Sequence, residues 1–360
     1  MEDRKKFWVC AILAGLGPTG TKKLLEIHRS IDKIFTLSLK ELKESGIPSK
    51  TAENITMWEK LPWKEEIRFC EENNISLVSL EDPSYPCLLK KIHNPPVLLY
   101  VKGTLPSDND ICLAIVGTRN PSIYGMRMAE KFAEQLSLYG VVIVSGMARG
   151  IDTAAHKGAL KADCKTIAVV GCGMRYCYPA ENFSLSNEIA KTGAVITEFP
   201  SYIKPKPENF PQRNRIISGM CRGIIVVEAG QKSGALITAN LALEQGRDVF
   251  AIPGRVDDFT SKGTNQLLKE GAILVENVGD ILEALNLEIK KEEKKKEEDV
   301  SCLSEREKII LNRIPSGEKV SFEEILMDTG IEQHLIFQSL LSLITKGLIF
   351  ELPGKFYTRK

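Results

Sequence analysis

The sequence predicts an α/β fold with a Rossmann-like, mostly parallel sheet core, an N-terminal helical domain and a C-terminal winged-helix-like domain. The first observation is the stretch 111–152, where two short apolar runs each end in a glycine turn. Such runs are typical of strands buried on both faces. Between them, small and apolar residues recur at helical spacing. The second observation is that strand-then-turn patterns recur at 166–170, 194–197, 224–227, 249–252 and, marginally, 272–275.

Composition excludes several classes of protein. The 360 residues suffice for two or three domains, and a hydrophobic content of 43% is ordinary for a soluble protein. A net charge of +1 does not by itself indicate a nucleic-acid partner. The nine cysteines lack CxxC or Cys/His spacing, which predicts reduced thiols and no metal site. Glu2 and Asp3 interrupt a signal-like start and no run reaches membrane-spanning length, so we expect a cytoplasmic protein without a membrane partner.

Two segments precede the core. Residues 1–63 predict a helical domain of the helix-hairpin-helix kind, with Gly-Pro turns at 15–18 and 45–48 followed by lysines. Such hairpins either present backbone N–H groups to a phosphate backbone or only pack, and the sequence does not separate the two readings. Residues 64–110 predict a lead-in segment that packs on the core, with short strands at 77–80 and 97–101 and no visible chemistry.

The sequence of the core, 111–287, predicts one ligand-binding edge of the sheet. Parallel strands place their carboxyl ends at one edge of the sheet, and each of these strands is followed in the sequence by small, polar or basic residues. Helix N-termini at such an edge offer free N–H groups to an anion, and Asp152 is the expected N-cap of the helix after the second turn. Arg119 and Arg149 each follow one of the first two turns.

Two segments follow the core. Residues 288–300 include a run of mixed charges and predict a solvated linker. Residues 301–360 show three helical patterns and a closing hairpin, which favours a winged-helix-like outline. The helix predicted at 333–345 contains no Lys or Arg, so protein contact or packing is favoured over DNA binding for this tail.

Common catalytic and cofactor motifs are missing. Tyr176 stands where a dinucleotide-binding GxGxxG turn needs its last glycine, and no phosphate loop of the GxxxxGK[ST] type is present. No serine or cysteine triad is suggested by spacing, and His156 is more typical of a structural histidine. We therefore expect no cofactor and no catalytic residue.

The stretch FPQRNRIISG at 210–219 is more informative. A helix from about Gln212 would aim Arg213 at the strand-end crevice, with an anionic ligand or Glu198 as partner, and leave Arg215 near the rim. Lys232 precedes another helix start. Several cations along one edge favour a polynucleotide over a mononucleotide as the ligand. Tyr178, Phe199 and Phe210 either offer stacking surfaces to bases or pack in the core.

These residues also carry a family resemblance. IVGTRNPSIYG, VVIVSGMARGIDTAAHKGAL, VVGCGMRYCYPAEN, FPQRNRIISGMCRGIIVVEAGQKSGALITANLALEQGRDVFAIPG and GTNQLLKEGAIL resemble the DNA-processing protein A (DprA/Smf) family over most of 85–285. The resemblance implies a protein that binds single-stranded DNA, forms a homodimer and loads RecA recombinase in natural transformation and DNA recombination, without catalytic turnover. Some relatives have a lysine in the Tyr-Pro-x-x-Asn turn, where this chain has Ala180 and Glu181.

Strand-end chemistry and resemblance together predict the site residues. The resemblance itself places the turn at 117–119 and the arginines of the FPQRNR motif in a DNA pocket, and a self-association face at 263–274. Those expected at the dimer interface are Asn265, Leu268 and Leu274. Those expected at the DNA site are Gly117, Thr118, Arg119, Ser145, Gly146, Arg149, Gly150, Gly171, Gly173, Tyr178, Asn182, Phe210, Arg213, Asn214, Arg215, Lys232, Ser233 and Gly234.

Two other functions remain open at this point. Nucleotide phosphoribohydrolases share the sheet architecture, but their Pro-Gly-Gly-x-Gly-Thr loop is replaced here by EAGQKSGALIT at 228–238. The other is an interaction scaffold with a vestigial pocket. Release of ribose 5-phosphate from nucleoside monophosphates would identify the enzyme. Binding of a labelled oligonucleotide in a titration would exclude the scaffold.

Overall fold

The computed structural model describes residues 2–287, 303–314, 319–346, 348–352 and 354–359. The predicted linker at 288–300 lies outside the described residues. The chain divides into two compact units, Met1–Glu292 and Glu293–Lys360, which are described separately. None of the helices in the described ranges is long and apolar enough to span a membrane.

The first unit begins with a small helical bundle. Its apolar centre includes Trp8, Leu24 and Leu42, all fully or nearly fully buried. Gly15 takes a φ of +81°, which a residue with a side chain rarely adopts, and so ends the first helix. The helices are α1 (Glu2–Leu13), α2 (Pro18–His28), α3 (Ile31–Ile34), α4 (Leu39–Glu44), α5 (Ser49–Thr56) and α6 (Trp63–Glu72).

A nine-stranded sheet forms the centre of this unit, in the order β1-β2-β6-β5-β4-β3-β7-β8-β9. Strands β3 to β9 pair in parallel, which confirms the predicted mostly parallel α/β core. The strands are β1 (Ile75–Ser79), β2 (Leu98–Gly103), β3 (Ile111–Val116), β4 (Val141–Ser145), β5 (Thr166–Val169), β6 (Ala194–Thr197), β7 (Gly223–Val226), β8 (Asp248–Ala251) and β9 (Ile273–Leu274).

The lead-in segment belongs to the sheet itself. Strand β2 pairs antiparallel with β6, and β1 pairs antiparallel with β2, so both extend one edge. Glu66 on α6 is buried, and its carboxylate accepts hydrogen bonds from the backbone N (2.5 Å) and hydroxyl (2.6 Å) of Ser201. The helical bundle is thereby attached to the loop that follows β6.

Helices cover both faces of the sheet. Successive residues of β3 alternate between the two apolar clusters, as the period of two along a strand requires. One face packs against α7, α11, α12 and α13, and the other against α8, α9 and α14. These helices and α10 are α7 (Cys87–Lys90), α8 (Ile123–Leu138), α9 (Ile151–Lys161), α10 (Phe183–Thr192), α11 (Asn209–Met220), α12 (Gly234–Glu244), α13 (Lys262–Lys269) and α14 (Val278–Ala284).

The second unit has its own apolar core, which includes Ile310, Leu340 and Tyr357. Its small antiparallel sheet has the order β10-β12-β11. The winged-helix assignment of this unit stays a prediction. Its elements are α15 (Glu305–Arg313), β10 (Val320–Ser321), α16 (Phe322–Thr329), α17 (Gln333–Thr345), β11 (Ile349–Leu352) and β12 (Phe356–Arg359).

Candidate nucleic-acid interface

The first two glycine turns of the core pack against each other. In the turn after β3, the Thr118 N–H donates to the Glu228 carbonyl (2.8 Å). A Cβ on Gly117 would lie 2.9 Å from that same carbonyl oxygen. Gly150, with a φ of +78°, lies so close that an added Cβ would be 2.5 Å from the Thr118 carbonyl oxygen. Glycine is needed at both positions because the two backbones touch. The turn that presents Arg119 to solvent is therefore held rigidly.

The helix N-termini behind these turns are occupied by the protein's own carboxylates. The Glu228 carboxylate accepts from the Ser122 N–H at 2.9 Å, at the start of α8. Helix α9 has Gly150 as its N-cap, so the expectation that Asp152 is the N-cap is wrong. Asp152 lies within the first turn, where its carboxylate accepts from the Ala148 N–H (3.2 Å).

Helix α12 has a more open N-terminus than α8 or α9. Its N-cap Ser233 accepts from the Ala235 N–H through its hydroxyl (3.3 Å), and the space around Gly234 is empty where a Cβ would be. Lys232 precedes it and is exposed. An anion could approach this end, where the backbone N–H groups and the helix dipole favour negative charge.

A cavity of about 600 Å³ lies between the loops that follow β3 and β7, and we call it the strand-edge cavity. Strand β3 pairs with both β4 and β7, so the chain turns to opposite sides of the sheet at this point. Such a switch point is where open α/β sheets bind ligands. The cavity brings together ten of the predicted residues, namely Gly117, Thr118, Arg119, Tyr178, Phe210, Arg213, Asn214, Lys232, Ser233 and Gly234.

A cluster of Arg119, Phe210 and Tyr178 forms one wall of the cavity. The Arg119 guanidinium lies 5.3 Å from the centre of the Phe210 ring, and the Tyr178 ring is 5.4 Å from the same ring. Gly171 supports this arrangement, because an added Cβ would lie 2.9 Å from a Phe210 ring carbon. Phe199 does not join this cluster and lines a smaller cavity beside the helical bundle.

Arg213 touches the cavity but is largely engaged with the protein. It is 4% exposed, and its Nη1 donates to the carbonyl oxygens of Gly146 (2.6 Å) and Val169. Burial lowers the pKa of Arg213 to about 10, opposed by the nearby Asp152 carboxylate. Burial raises the pKa of Asp152, opposed chiefly by Arg213. The Arg213 guanidinium therefore ties together the carboxyl ends of β4 and β5.

The expectation that Glu198 is the protein partner of Arg213 is wrong. Glu198 forms an ion pair with Arg215 instead, and both side chains are largely buried. Helix α11 begins at Asn209, three residues earlier than predicted. Residues two apart on a helix point about 200° apart, so the two arginines face different elements. Arg215 thus lies in a buried pair and not at an open rim.

Arg149 is exposed but already paired. Its Nε and Nη2 both donate to the Glu181 carboxylate at 2.7 Å, a two-point contact. The hydrogen bond to Glu181 raises the pKa of Arg149, and the same contact lowers the pKa of Glu181. The acid that this chain has in the Tyr-Pro-x-x-Asn turn therefore neutralises one of the expected cations.

Six other predicted residues shape the backbone and do not line the cavity. Ser145 is fully buried, and its hydroxyl donates to the Ile115 carbonyl (2.7 Å). Asn182 donates to the Met147 carbonyl (2.9 Å), which steadies a residue with a φ of +59°. The remaining four are glycines at which an added Cβ would clash with neighbouring atoms, namely Gly146, Gly150, Gly171 and Gly173.

The three predicted interface residues differ in accessibility. Asn265 is committed to the loop before it, since its amide donates to the Gly254 carbonyl (3.0 Å) and accepts from the Gly254 N–H (3.3 Å). Leu268 is half-buried against the core, whereas Leu274 is 49% exposed. Leu274 is the most accessible of the three.

Sequence reasoning missed part of the cavity wall. Lys206, Ile237, Phe259 and Thr260 also line it. Lys206 lies in the proline-broken loop before α11, a region that no periodicity describes. Phe259 is a lone aromatic residue in the polar loop that follows β8, and that contrast is the signal that could have identified it.

Comparison with known proteins supports the family resemblance. The model of the family described as DNA recombination-mediator protein A matches residues 76–286. Protein Smf of Escherichia coli is 40% identical over 245 residues, covering 68% of this chain and 66% of the relative, so the chain spans about two thirds of that protein.

Two solved structures also resemble this chain. The X-ray structure of DNA processing protein A from Streptococcus pneumoniae has a TM-score of 0.68 and 37% identity, covering 78% of this chain and 96% of that one. The Helicobacter pylori protein, whose structure addresses its single-stranded DNA binding mode, has a TM-score of 0.54 and 30% identity, covering 61% and 99%. From the family match and these similarities, this chain belongs to the DNA recombination-mediator protein A family.

Proposed function

We propose that this chain binds single-stranded DNA in the strand-edge cavity. The observation that carries the proposal is the convergence of Arg119 and Lys232 with the Phe210 ring in one open cavity. Cations suit phosphates and an aromatic face suits a base, and a single strand offers both together. The Helicobacter pylori relative, described as binding single-stranded DNA, adds support.

The geometry favours a single strand over a duplex. In duplex DNA the bases are stacked on each other, and proteins read them by inserting an element into a groove. The Phe210 ring lies within a cavity, where only an unstacked base could reach it. A phosphate near such a base would meet Lys232 and the open N-terminus of α12.

Anisotropy titration of a labelled oligothymidylate with the parent and the Arg119→Ala/Lys232→Ala variant tests the proposal. Both side chains are exposed, so we expect a folded variant with at least a tenfold loss of affinity. The matched control, Arg127→Ala/Lys131→Ala, removes two exposed cations from α8 outside the cavity lining. Equal losses in the two variants would show diffuse attraction and refute a site.

We further propose that the protein forms a homodimer through the face around Leu268 and Leu274. An exposed leucine at one edge of the sheet suits a self-complementary patch. Leu268→Arg or Leu274→Arg would put like charges opposite each other and yield folded monomers. Sedimentation at micromolar concentration decides, and a monomeric parent or a dimeric variant would refute this face.

The wider role that we propose is RecA loading onto single strands in the cytoplasm, during natural transformation and recombination, with no catalytic turnover. Family membership supports it, and the exposed face of α17 (Phe337 and Leu341) suits protein contact by the second unit. The test is whether the protein accelerates RecA filament assembly on strands coated with single-strand-binding protein. No acceleration, or release of ribose 5-phosphate from nucleoside monophosphates, would refute this role.

A further inference from the structure

Phe259 is an exposed aromatic residue that the fold holds at the wall of the strand-edge cavity. It lies between β8 and α13, and 65% of it is accessible to solvent. Its ring rests on Gly230, where an added Cβ would lie 2.9 Å from one ring carbon and 3.4 Å from the next. One part of the ring is thus packed on backbone and the Lys262 ammonium lies 5.9 Å from the ring centre, while most of the residue stays accessible to solvent.

The backbone around this ring is fixed from both sides. The Asp258 carboxylate accepts from the N–H (3.0 Å) and the hydroxyl (2.9 Å) of Thr260, which closes the turn that contains Phe259. Upstream, the Asn265 amide holds Gly254 by the two hydrogen bonds already described. Downstream, the Gly263 N–H donates to the Ala229 carbonyl (2.7 Å). A large apolar ring is therefore presented to solvent in a defined place, although leaving it exposed is unfavourable.

The surroundings indicate what covers the ring. The same cavity is lined by Arg119, Lys206 and Lys232, which favour an anionic occupant, and by the Phe210 ring, which offers a flat apolar surface. Among common ligands, a nucleic-acid strand joins negative charge to flat apolar faces repeatedly, so that two aromatic side chains on different loops can each take a base.

We propose that Phe259 is a second base-stacking platform, which takes a nucleobase of the strand whose phosphates meet the cavity cations. This inference rests on the proposed single-stranded DNA binding. Stacking on an uncharged ring releases no counterion, so Phe259 contributes to affinity without contributing to its salt dependence. Arg119 and Lys232 contribute to both.

The test uses the full chain with two probes of equal length: an oligothymidylate and the same backbone with abasic positions. Phe259→Ala should weaken binding of the oligothymidylate about tenfold, the scale of one lost base stack, with an unchanged salt slope. It should leave binding of the abasic probe unaltered. The matched control is Phe183→Ala, because Phe183 is 63% exposed and does not line the cavity.

Phe259→Leu provides a second variant that keeps apolar volume but removes the ring, and thermal unfolding checks that each variant folds. A loss in Phe259→Leu close to that in Phe259→Ala supports stacking. Parental affinity in Phe259→Ala, or an equal loss on the abasic probe, overturns the platform while leaving the proposed function intact. A parent that binds neither probe overturns both proposals.

Discussion

The open side of the strand-edge cavity and the layer behind it use arginine in opposite ways. Arg119 is exposed and contacts an aromatic ring, whereas Arg213 is buried against two strand-end carbonyls and Asp152. Arg149 and Arg215 each have a carboxylate of the protein as partner. The residue type is the same throughout, but only a cation without an internal acid is ready to meet a phosphate. A motif rich in arginine therefore overstates the charge that a ligand meets.

The largest effect is expected from a substitution of the buried arginine, Arg213. Arg213→Ala would remove the donor to the Gly146 and Val169 carbonyls and the positive charge near the buried Asp152 carboxylate. We expect a loss of about 3 to 5 kcal/mol in unfolding free energy. Urea denaturation measures it. Arg222→Ala, at an exposed position just after α11, is the control and should change stability little. A variant with parental stability but no DNA binding would make Arg213 a ligand contact instead.

Arg119→Ala tests the open side. We expect parental stability, an affinity for single strands reduced about tenfold, and a salt slope smaller by about 1, since one charged hydrogen bond to phosphate is lost. Anisotropy titration across salt concentrations gives both quantities. The control Arg127→Ala removes an exposed arginine of α8 that does not line the cavity. Loss of stability in place of affinity would contradict the distinction between open and engaged arginines.

Glu181→Gln would convert a paired arginine into an open one. Freed from its carboxylate partner, Arg149 should add to the positive field, so affinity should rise by less than Arg119→Ala lowers it. Glu134→Gln is the control for net charge, because it removes one acid outside the cavity lining, the nearer (2.9 Å) of the two carboxylates that contact Lys161. A rise of the same size in both variants would assign the effect to net charge alone.

The smallest effect on DNA binding is expected in the second unit. Lys346→Ala removes the donor to Glu307 (2.7 Å) and should leave affinity for single strands unchanged. The same contact, with Ser342 and Ser304, lowers the pKa of Glu307 to about 2. A lowered carboxyl pKa stabilises the fold above about pH 4.5, and this stabilisation is lost as the pH falls towards 2. Lys346→Ala should shrink that acid-dependent loss, measured by circular dichroism. A DNA-binding defect would instead move the site to this unit.

The parallel strands could be predicted from the sequence, because short apolar runs that are rich in β-forming residues and end in a glycine turn are typical of strands buried on both faces. Sequence reasoning also placed Arg119, Phe210 and Lys232 near one edge, since parallel strands end together. It could not assign partners within that edge. Arg213 and Arg215 lie on different sides of α11, and which of them meets Glu198 depends on how the helix packs beside the loop after β6, which is a long-range property. Strand β2 was predicted without its antiparallel pairing to β6, because the pairing of strands far apart in sequence is a long-range property.

The most direct measurement is a titration of the parent protein with one oligonucleotide, in single-stranded and in duplex form, at several salt concentrations. We expect tighter binding of the single strand at every salt concentration, and a logarithm of affinity that falls linearly with the logarithm of salt concentration. The slope should correspond to the few open cations of the cavity. Equal affinity for the two forms, or an affinity that salt does not change, would contradict the claim that the strand-edge cavity binds single-stranded DNA.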